Sequence, residues 1–399
     1  SGAYSSDEGL SASASWLHRN LWGGAEQLGL RGEIKGLADG GVADLGELDY
    51  LAEGTLRVPD LWLRNLDIRV DVGAFSESPD AYDREAVTAG LALERRFSDR
   101  LLASTGVAWE RSRIAQDGPA EEYRLLSLPL TLTRDPTDDP LAPRRGTRLA
   151  LRLSPTGLMS GDGSDFTLLR AVASAYLDLG SALRPERTPG REGSVAAVDG
   201  TPDAEPLAAP GRADGAGRRA DPGRVVLAGR LVLGSLTGAA AEDIPPDWRF
   251  YAGGGGSVRG YPFQSIGPRT PGGSPAGGDA LLEASLELRL MGLCCTGGES
   301  SGPGSADGPV GGSGEASGGL AARIRRGWGA GPWGAALFAD AGAVSRDGIP
   351  GAGSLAVGVG IGLRYRTPVG PLRVDLATPL NGEAAGAPLQ LYIGIGQAF

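Results

Sequence analysis

Residues 355–366 read Leu-Ala-Val-Gly-Val-Gly-Ile-Gly-Leu-Arg-Tyr-Arg. The odd positions Leu355, Val357, Val359, Ile361, Leu363 and Tyr365 are large and apolar. The even positions Ala356, Gly358, Gly360, Gly362, Arg364 and Arg366 are small or charged. A period of two sends alternate side chains to opposite faces of a strand, and about eleven residues is the length a tilted strand needs to cross a bilayer. The next segment repeats the pattern, with Leu372, Val374 and Leu376 on one face and Arg373 and Asp375 on the other. The last one sets Leu389, Leu391, Ile393 and Ile395 against Gln390, Tyr392, Gly394 and Gly396. The turn Thr367-Pro368-Val369-Gly370-Pro371 separates the first two, its prolines halting pairing.

Upstream, Leu66, Ile68, Val70 and Val72 alternate with Asp67, Arg69 and Asp71, and Leu28, Leu30 and Ile34 with Gln27, Arg31, Glu33 and Lys35. A soluble sandwich also alternates, because one face of each sheet meets water. Two features favour a membrane barrel. Gly, Arg and Asp share one face, as a wet lumen permits, while the other face stays aliphatic along the whole strand. Aromatics such as Trp16, Trp22, Trp62, Tyr365 and Phe399 fall near strand ends, where an interfacial girdle belongs.

Composition narrows the field further. Of 399 residues 67 are Gly, and 38 basic against 48 acidic side chains give a net charge of −10. No apolar run reaches 18 residues, which excludes a spanning helix. An acidic balance without a basic block argues against nucleic acid as a partner. One His (His18) and two adjacent Cys (Cys294, Cys295) exclude a disulfide framework, a zinc finger and most His/Cys metal sites. No cofactor and no metal is expected. No initiating Met or signal segment is visible, so any signal peptide is expected to have been removed or never included.

The predicted strands are 2–6, 10–22, 27–36, 47–58, 65–76, 83–96, 100–113, 122–134, 147–156, 166–179, 224–235, 280–291, 333–344, 354–367, 371–380 and 388–399. Sixteen is an even number, as single-chain bacterial barrels require. The expected fold is therefore an all-β, 16-stranded antiparallel transmembrane barrel occupying residues 1–399. Residues 184–223 and 296–319 are rich in Pro, Gly, Ala, Ser and charge, and read as disordered insertions. Strand parity from a periplasmic N-terminus places both in the periplasm.

The longest ordered connection, 236–279, contains Ile244-Pro-Pro-Asp-Trp-Arg-Phe-Tyr-Ala-Gly-Gly-Gly-Gly-Ser-Val-Arg-Gly-Tyr261. Four glycines at 253–256 let the backbone fold tightly, and Arg259 projects beside the permissive Gly260. A phosphate-binding loop is a poor fit, since no helix and no Gly-Lys-Ser/Thr follow. The bland alternative is an exposed loop with a solvated arginine.

The stretch Phe250-Tyr-Ala-Gly-Gly-x-x-Ser-Val-Arg-Gly-Tyr261 resembles the sixth-loop signature of the BamA/TamA superfamily of outer-membrane assembly factors. So do Asp135-Pro…Pro143-Arg-Arg-Gly146-Thr-Arg, Glu283-Ala-Ser-Leu-Glu287, Phe338-Ala-Asp340-Ala-Gly342, Gly362-Leu-Arg-Tyr-Arg-Thr-Pro-Val-Gly-Pro371-Leu-Arg-Val-Asp375 and Leu389–Phe399. Near the other end, Tyr4-Ser-Ser-Asp-Glu-Gly9 and His18-Arg-Asn-Leu-Trp-Gly-Gly24 fit a first hairpin. The wording is more similar to TamA members than to BamA members.

The resemblance implies a sixth extracellular loop folded back into the lumen, where Arg259 of the Val258-Arg259-Gly260-Tyr261 motif meets Glu287 and Asp340. The alternative for these two is a pair of solvated lumen carboxylates. It also implies an outer-membrane location, and nascent outer-membrane proteins and the lipid bilayer as partners, with an inner-membrane-anchored, periplasm-spanning partner as a further expectation. Periplasmic POTRA repeats precede such barrels; none precedes this one, so the chain is expected to be the barrel part of a longer precursor.

A closed barrel satisfies every backbone polar group except where first and last strands meet. That lateral seam is expected at Tyr4 and at Gly394 and Gly396, glycines that weaken a strand interior. An open edge templates another chain's strand, which makes assembly of β-barrel or autotransporter-type proteins the leading function. Phe399 resembles a C-terminal assembly signal, or else serves as a girdle aromatic. No bond is made or broken, so no catalytic residue is nominated. The competing functions are a two-partner secretion transporter and a passive channel, the latter needing an open lumen. An outer-membrane enzyme would need a nucleophile–base constellation that one His scarcely supplies.

Overall fold

The computed structural model describes residues 2–5, 9–35, 49–160, 164–182, 224–293, 331–346, 348, 350–351, 354–367, 370–382 and 389–399. Both predicted insertions and the Cys294–Cys295 pair lie outside the described residues.

Sixteen antiparallel strands form one sheet in chain order. They are β1 (Gly2–Ser5), β2 (Gly9–His18), β3 (Gln27–Lys35), β4 (Asp49–Val58), β5 (Leu66–Glu77), β6 (Asp83–Ser98) and β7 (Leu101–Ala115). Then come β8 (Glu121–Ser127 continued by Leu130–Arg134), β9 (Gly146–Leu158), β10 (Phe166–Asp178) and β11 (Arg224–Thr237). The last five are β12 (Ala280–Leu293), β13 (Trp333–Ser345), β14 (Ala356–Thr367), β15 (Gly370–Pro379) and β16 (Gln390–Ile395). β16 pairs back onto β1, closing the cylinder.

β8 is predicted as continuous but is broken at Leu128-Pro129. Pro129 cannot donate to the ladder, and Pro155 on the neighbouring β9 lacks its N–H as well. The gap is bridged by Leu128 N–H to Pro155 O at 2.9 Å and Gly106 N–H to Pro129 O at 3.1 Å. β2 stops at His18, short of the predicted 22, and His18 stacks obliquely on Trp16 at 5.8 Å. β16 ends at Ile395 rather than running to the terminus. Gly396, expected inside the strand, instead adopts φ +96° and ends it, its N–H donating to Pro371 O at 2.7 Å.

Burial inverts the order of a water-soluble protein. On β12 to β15 the aliphatic rows are exposed, with Leu286 at 54% and Ile361 at 59%, while Glu287, Asp340 and Asp375 are at 0–1%. An exposed belt of this kind, wrapped round a closed sheet whose other face is charged, is a lipid-facing surface. The apolar core lies between the β11–β12 connection and the buried face of the wall. Ile244, Phe250, Val258, Tyr261 and Ile266 from the connection join Leu125, Phe166, Val232, Leu281 and Val344.

Candidate functional site: a buried arginine and the closing seam

Two short 3-10 turns, Ala241–Asp243 and Pro246–Trp248, begin the connection, and prolines 245 and 246 stiffen its path. Gly253 and Gly254 then take φ of +111° and +92°, and Gly260 takes +98°. A side chain is strained in that region. These bends carry Val258 and Arg259 against the wall, and Val258 is 0% exposed.

The guanidinium of Arg259 grips Asp340 with two parallel bonds, Nε to Oδ2 at 2.7 Å and Nη2 to Oδ1 at 3.0 Å. The Arg259 main-chain N–H adds a third at 3.1 Å. Nη1 donates to Glu287 and to Asp375, each at 3.2 Å. The ring of Phe338 lies under the cation, 3.4 Å from guanidinium carbon to centroid. Bidentate pairing and a cation–π face are what a planar guanidinium, unlike an ammonium, can satisfy together. Burial alone would lower the Arg259 pKa, but the bonds to Asp340 and the charges of Asp340, Glu287 and Asp375 hold it above its ordinary value. The side chain stays charged.

The sheet register explains why these groups meet. Arg289, Ala336, Gly362, Asp375 and Tyr392 follow one another across β12 to β16. The next row runs Glu287, Phe338, Gly360, Ala377, and Asp340 pairs with Gly358. Gly358, Gly360 and Gly362 therefore form a trench on β14 between two side-chain-bearing strands. A Cβ on Gly358 would collide with the Arg259 carbonyl, and one on Gly360 with the Phe338 ring. The small even positions of 355–366 make room for the arginine.

Glu287 and Asp340, singled out in the sequence, are thus brought to Arg259. Three further members are not legible there. Asp375 bridges Arg259 and Arg364, while Arg364 Nη2 reaches Glu287 at 3.0 Å. Arg289 Nε donates to Glu287 at 3.1 Å. The signal was the shared face: Arg364 and Asp375 sit on the same small-or-charged rows as the glycines. Tyr392 was missed too; its hydroxyl accepts from Gly260 N–H at 3.2 Å and lies 3.4 Å from Tyr261 O. Tyr261 reaches Asn381, its hydroxyl 2.6 Å from that carbonyl.

The seam residues behave differently. Among the described residues the β1–β16 ladder registers one pair, Ser5 with Tyr392, and Tyr4 pairs instead with Leu10 of β2. Gly394 lies in β16 opposite Arg373. Phe399 does not sit in a membrane girdle. Its ring lies 5.2 Å from the Arg289 guanidinium, and its main-chain oxygen accepts from Arg289 Nη2 at 3.1 Å. Arg289 belongs to the buried charged face, and β16 has already ended, so the last residues turn toward that face.

A family model described as the Omp85 superfamily domain matches residues 20–196, 219–292 and 297–399. The chain belongs to the Omp85 superfamily. Members of this superfamily are outer-membrane assembly and transport factors rather than enzymes, and this chain is a bacterial outer-membrane β-barrel. Among solved structures, BamA from Haemophilus ducreyi lacking POTRA domains 1–3 is similar with a TM-score of 0.65 at 16% identity, over 99% of this chain and 67% of that one. CdiB from Acinetobacter baumannii gives 0.52 at 12% identity, and CdiB from Escherichia coli 0.51 at 12%, each over 99% of this chain. The chain spans 58% and 61% of those two CdiB chains. At such identities the likeness is one of fold.

Proposed function

We propose that this Omp85 barrel inserts or secretes β-barrel proteins of the autotransporter type, in the manner of a TamA-like assembly factor. The client strand augments the edge exposed when β1 parts from β16, and the client leaves laterally into lipid. The observation that carries this reading is the short last strand. β16 spans six residues, Gln390–Ile395, and is ended by Gly396 at φ +96°, whereas β12 spans fourteen. Breaking the cylinder at so short a strand exposes strand edges at a small loss of hydrogen bonds.

Arg259 and its carboxylates act as the fixed point of an arm reaching inside the barrel, so the wall beside the opening, β12–β15, keeps its shape. An arm in the lumen also obstructs the wide aqueous path of a passive channel. The partners are nascent outer-membrane proteins and the bilayer, with a periplasm-spanning, inner-membrane-anchored protein as an accessory.

The test is a disulfide across the seam in the full-length protein, Ala3→Cys with Gly394→Cys, two residues along from the Ser5–Tyr392 pair, with Cys294 and Cys295 changed to Ser. Oxidation is expected to stop client insertion into vesicles and reduction to restore it. Full activity in the oxidised protein would overturn lateral opening. Export of a soluble client through the oxidised barrel would favour a two-partner secretion transporter.

A further inference from the structure

The β11–β12 connection is held at a second place, on the far wall. Asp247, in the turn Pro246–Trp248, presents a side chain that is 1% exposed, and Arg84 Nη2 of β6 lies 2.9 Å from its Oδ2. Arg84 is shared. Its Nη2 is 2.7 Å from Glu110 of β7, its Nη1 is 3.1 Å from Glu77 of β5, and it rests on the Phe75 ring at 4.4 Å. The contact with Asp247 is close but out of line, so neither Asp247 oxygen has an aligned hydrogen-bond donor among the described residues, and Arg84 Nε has no acceptor.

One guanidinium thus faces three carboxyls. With all of them ionised the cluster would carry a formal charge of +1 − 3 = −2, with Asp247 its most buried member. Burial pushes the Asp247 carboxyl up from 3.8 to about 8; the Arg84 charge opposes this and the Glu110 charge adds to it.

Three phenols also face Asp247: Tyr251 from the loop itself, Tyr82 from the turn before β6 and Tyr123 from β8. Burial raises Tyr82, and raises Tyr251 to about 12. Glu77 is the more open carboxyl of the cluster, its side chain 39% exposed.

We propose that Asp247, buried beside an Arg84 already engaged by Glu110 and Glu77, carries a proton, and that this proton latches the outer part of the connection to the β5–β8 wall. The latch is a second fastening, separate from Arg259, and it does not depend on the insertion reading. A carboxyl whose latched-state pKa lies above its free value favours the latch fully below the free value of 3.8, and that advantage is lost as pH rises to about 8. Alkaline medium releases the latch while the Arg259 cluster stays shut.

Nitroxide labels at Ser78→Cys and Asp243→Cys, in the full chain with Cys294 and Cys295 changed to Ser, report the distance across the latch by pulsed electron resonance. The parent pair is expected to give one narrow distance at pH 5 and a broadened, longer distribution at pH 9. Asp247→Asn keeps the shape and imitates the neutral acid, so it should stay narrow at both values. Glu110→Gln serves as the second variant, with the same expectation, should the first not fold. A parent distribution identical at pH 5 and pH 9 overturns the proposal. So does a folded neutral variant that is already broad at pH 5.

Discussion

The walls β2–β6 and β12–β15 are built from the same alternation of aliphatic and charged residues, yet they hold their charges in different states. On the first wall Arg31 pairs with Glu33 at 2.6 Å and Arg69 with Asp71 at 2.7 Å, with the arginines 52% and 41% exposed. On the second, Arg259, Arg289 and Arg364 meet Glu287, Asp340 and Asp375 with every side chain at 0–2%. Strand sequence alone does not separate the two. The difference is the β11–β12 connection, which covers the second wall and leaves Arg31 and Arg69 of the first exposed. Ion pairs in water contribute little, whereas a buried cluster is costly to break because its survivors stay desolvated.

Arg259→Ala tests the covered wall and carries the largest expected effect. Three buried carboxylates lose a partner, and the barrel should be destabilised by ~3–5 kcal/mol, read as a lower urea midpoint in lipid or a lower temperature of heat-modified migration. Arg259→Lys should recover only part, since a point charge cannot replace the paired fork. A midpoint unchanged in the alanine variant would refute the contrast between the walls.

Glycines sharpen it at the next level. Gly360→Leu drives a side chain into Phe338 and should cost about 1–3 kcal/mol by overpacking. On the uncovered wall Gly90 has ordinary contact distances around an added Cβ, the nearest being Val107 O at 3.8 Å. Gly90→Ala should therefore stay within about 0.5 kcal/mol. Equal losses would mean that the trench has no tenant. The smallest effect belongs to Arg31→Gln, where loss of the exposed pair with Glu33 should shift the midpoint by roughly 0–1 kcal/mol and vanish in high salt.

The strand map was readable because side-chain period in a strand is two and lipid demands that one face be aliphatic throughout. Strand ends were less so. Pro129 reads as a local defect until its neighbour Pro155 is known to lie beside it, and Gly396 reads as a strand residue until its φ is known. Glu287 and Asp340 were reachable through motif position. Asp375, Arg364 and Arg289 were not, because membership of the cluster depends on register between strands whose sequences are up to 86 residues apart, from Arg289 to Asp375. Asp247 was hidden for another reason: its partners, Arg84 and Glu110, come from the opposite wall, and nothing in Pro-Pro-Asp-Trp announces them.

Tyr392 belongs to both places at once. Its backbone makes the registered bond to β1 at Ser5, and its phenol holds Gly260 and sits beside Tyr261. Hinge and bolt therefore turn on one pivot: a strand peeling away from the zipper tugs on the peptide that carries the arginine, and a shift of that peptide slackens the zipper. On the proposed route, opening this cylinder is a lever movement rather than a local fraying.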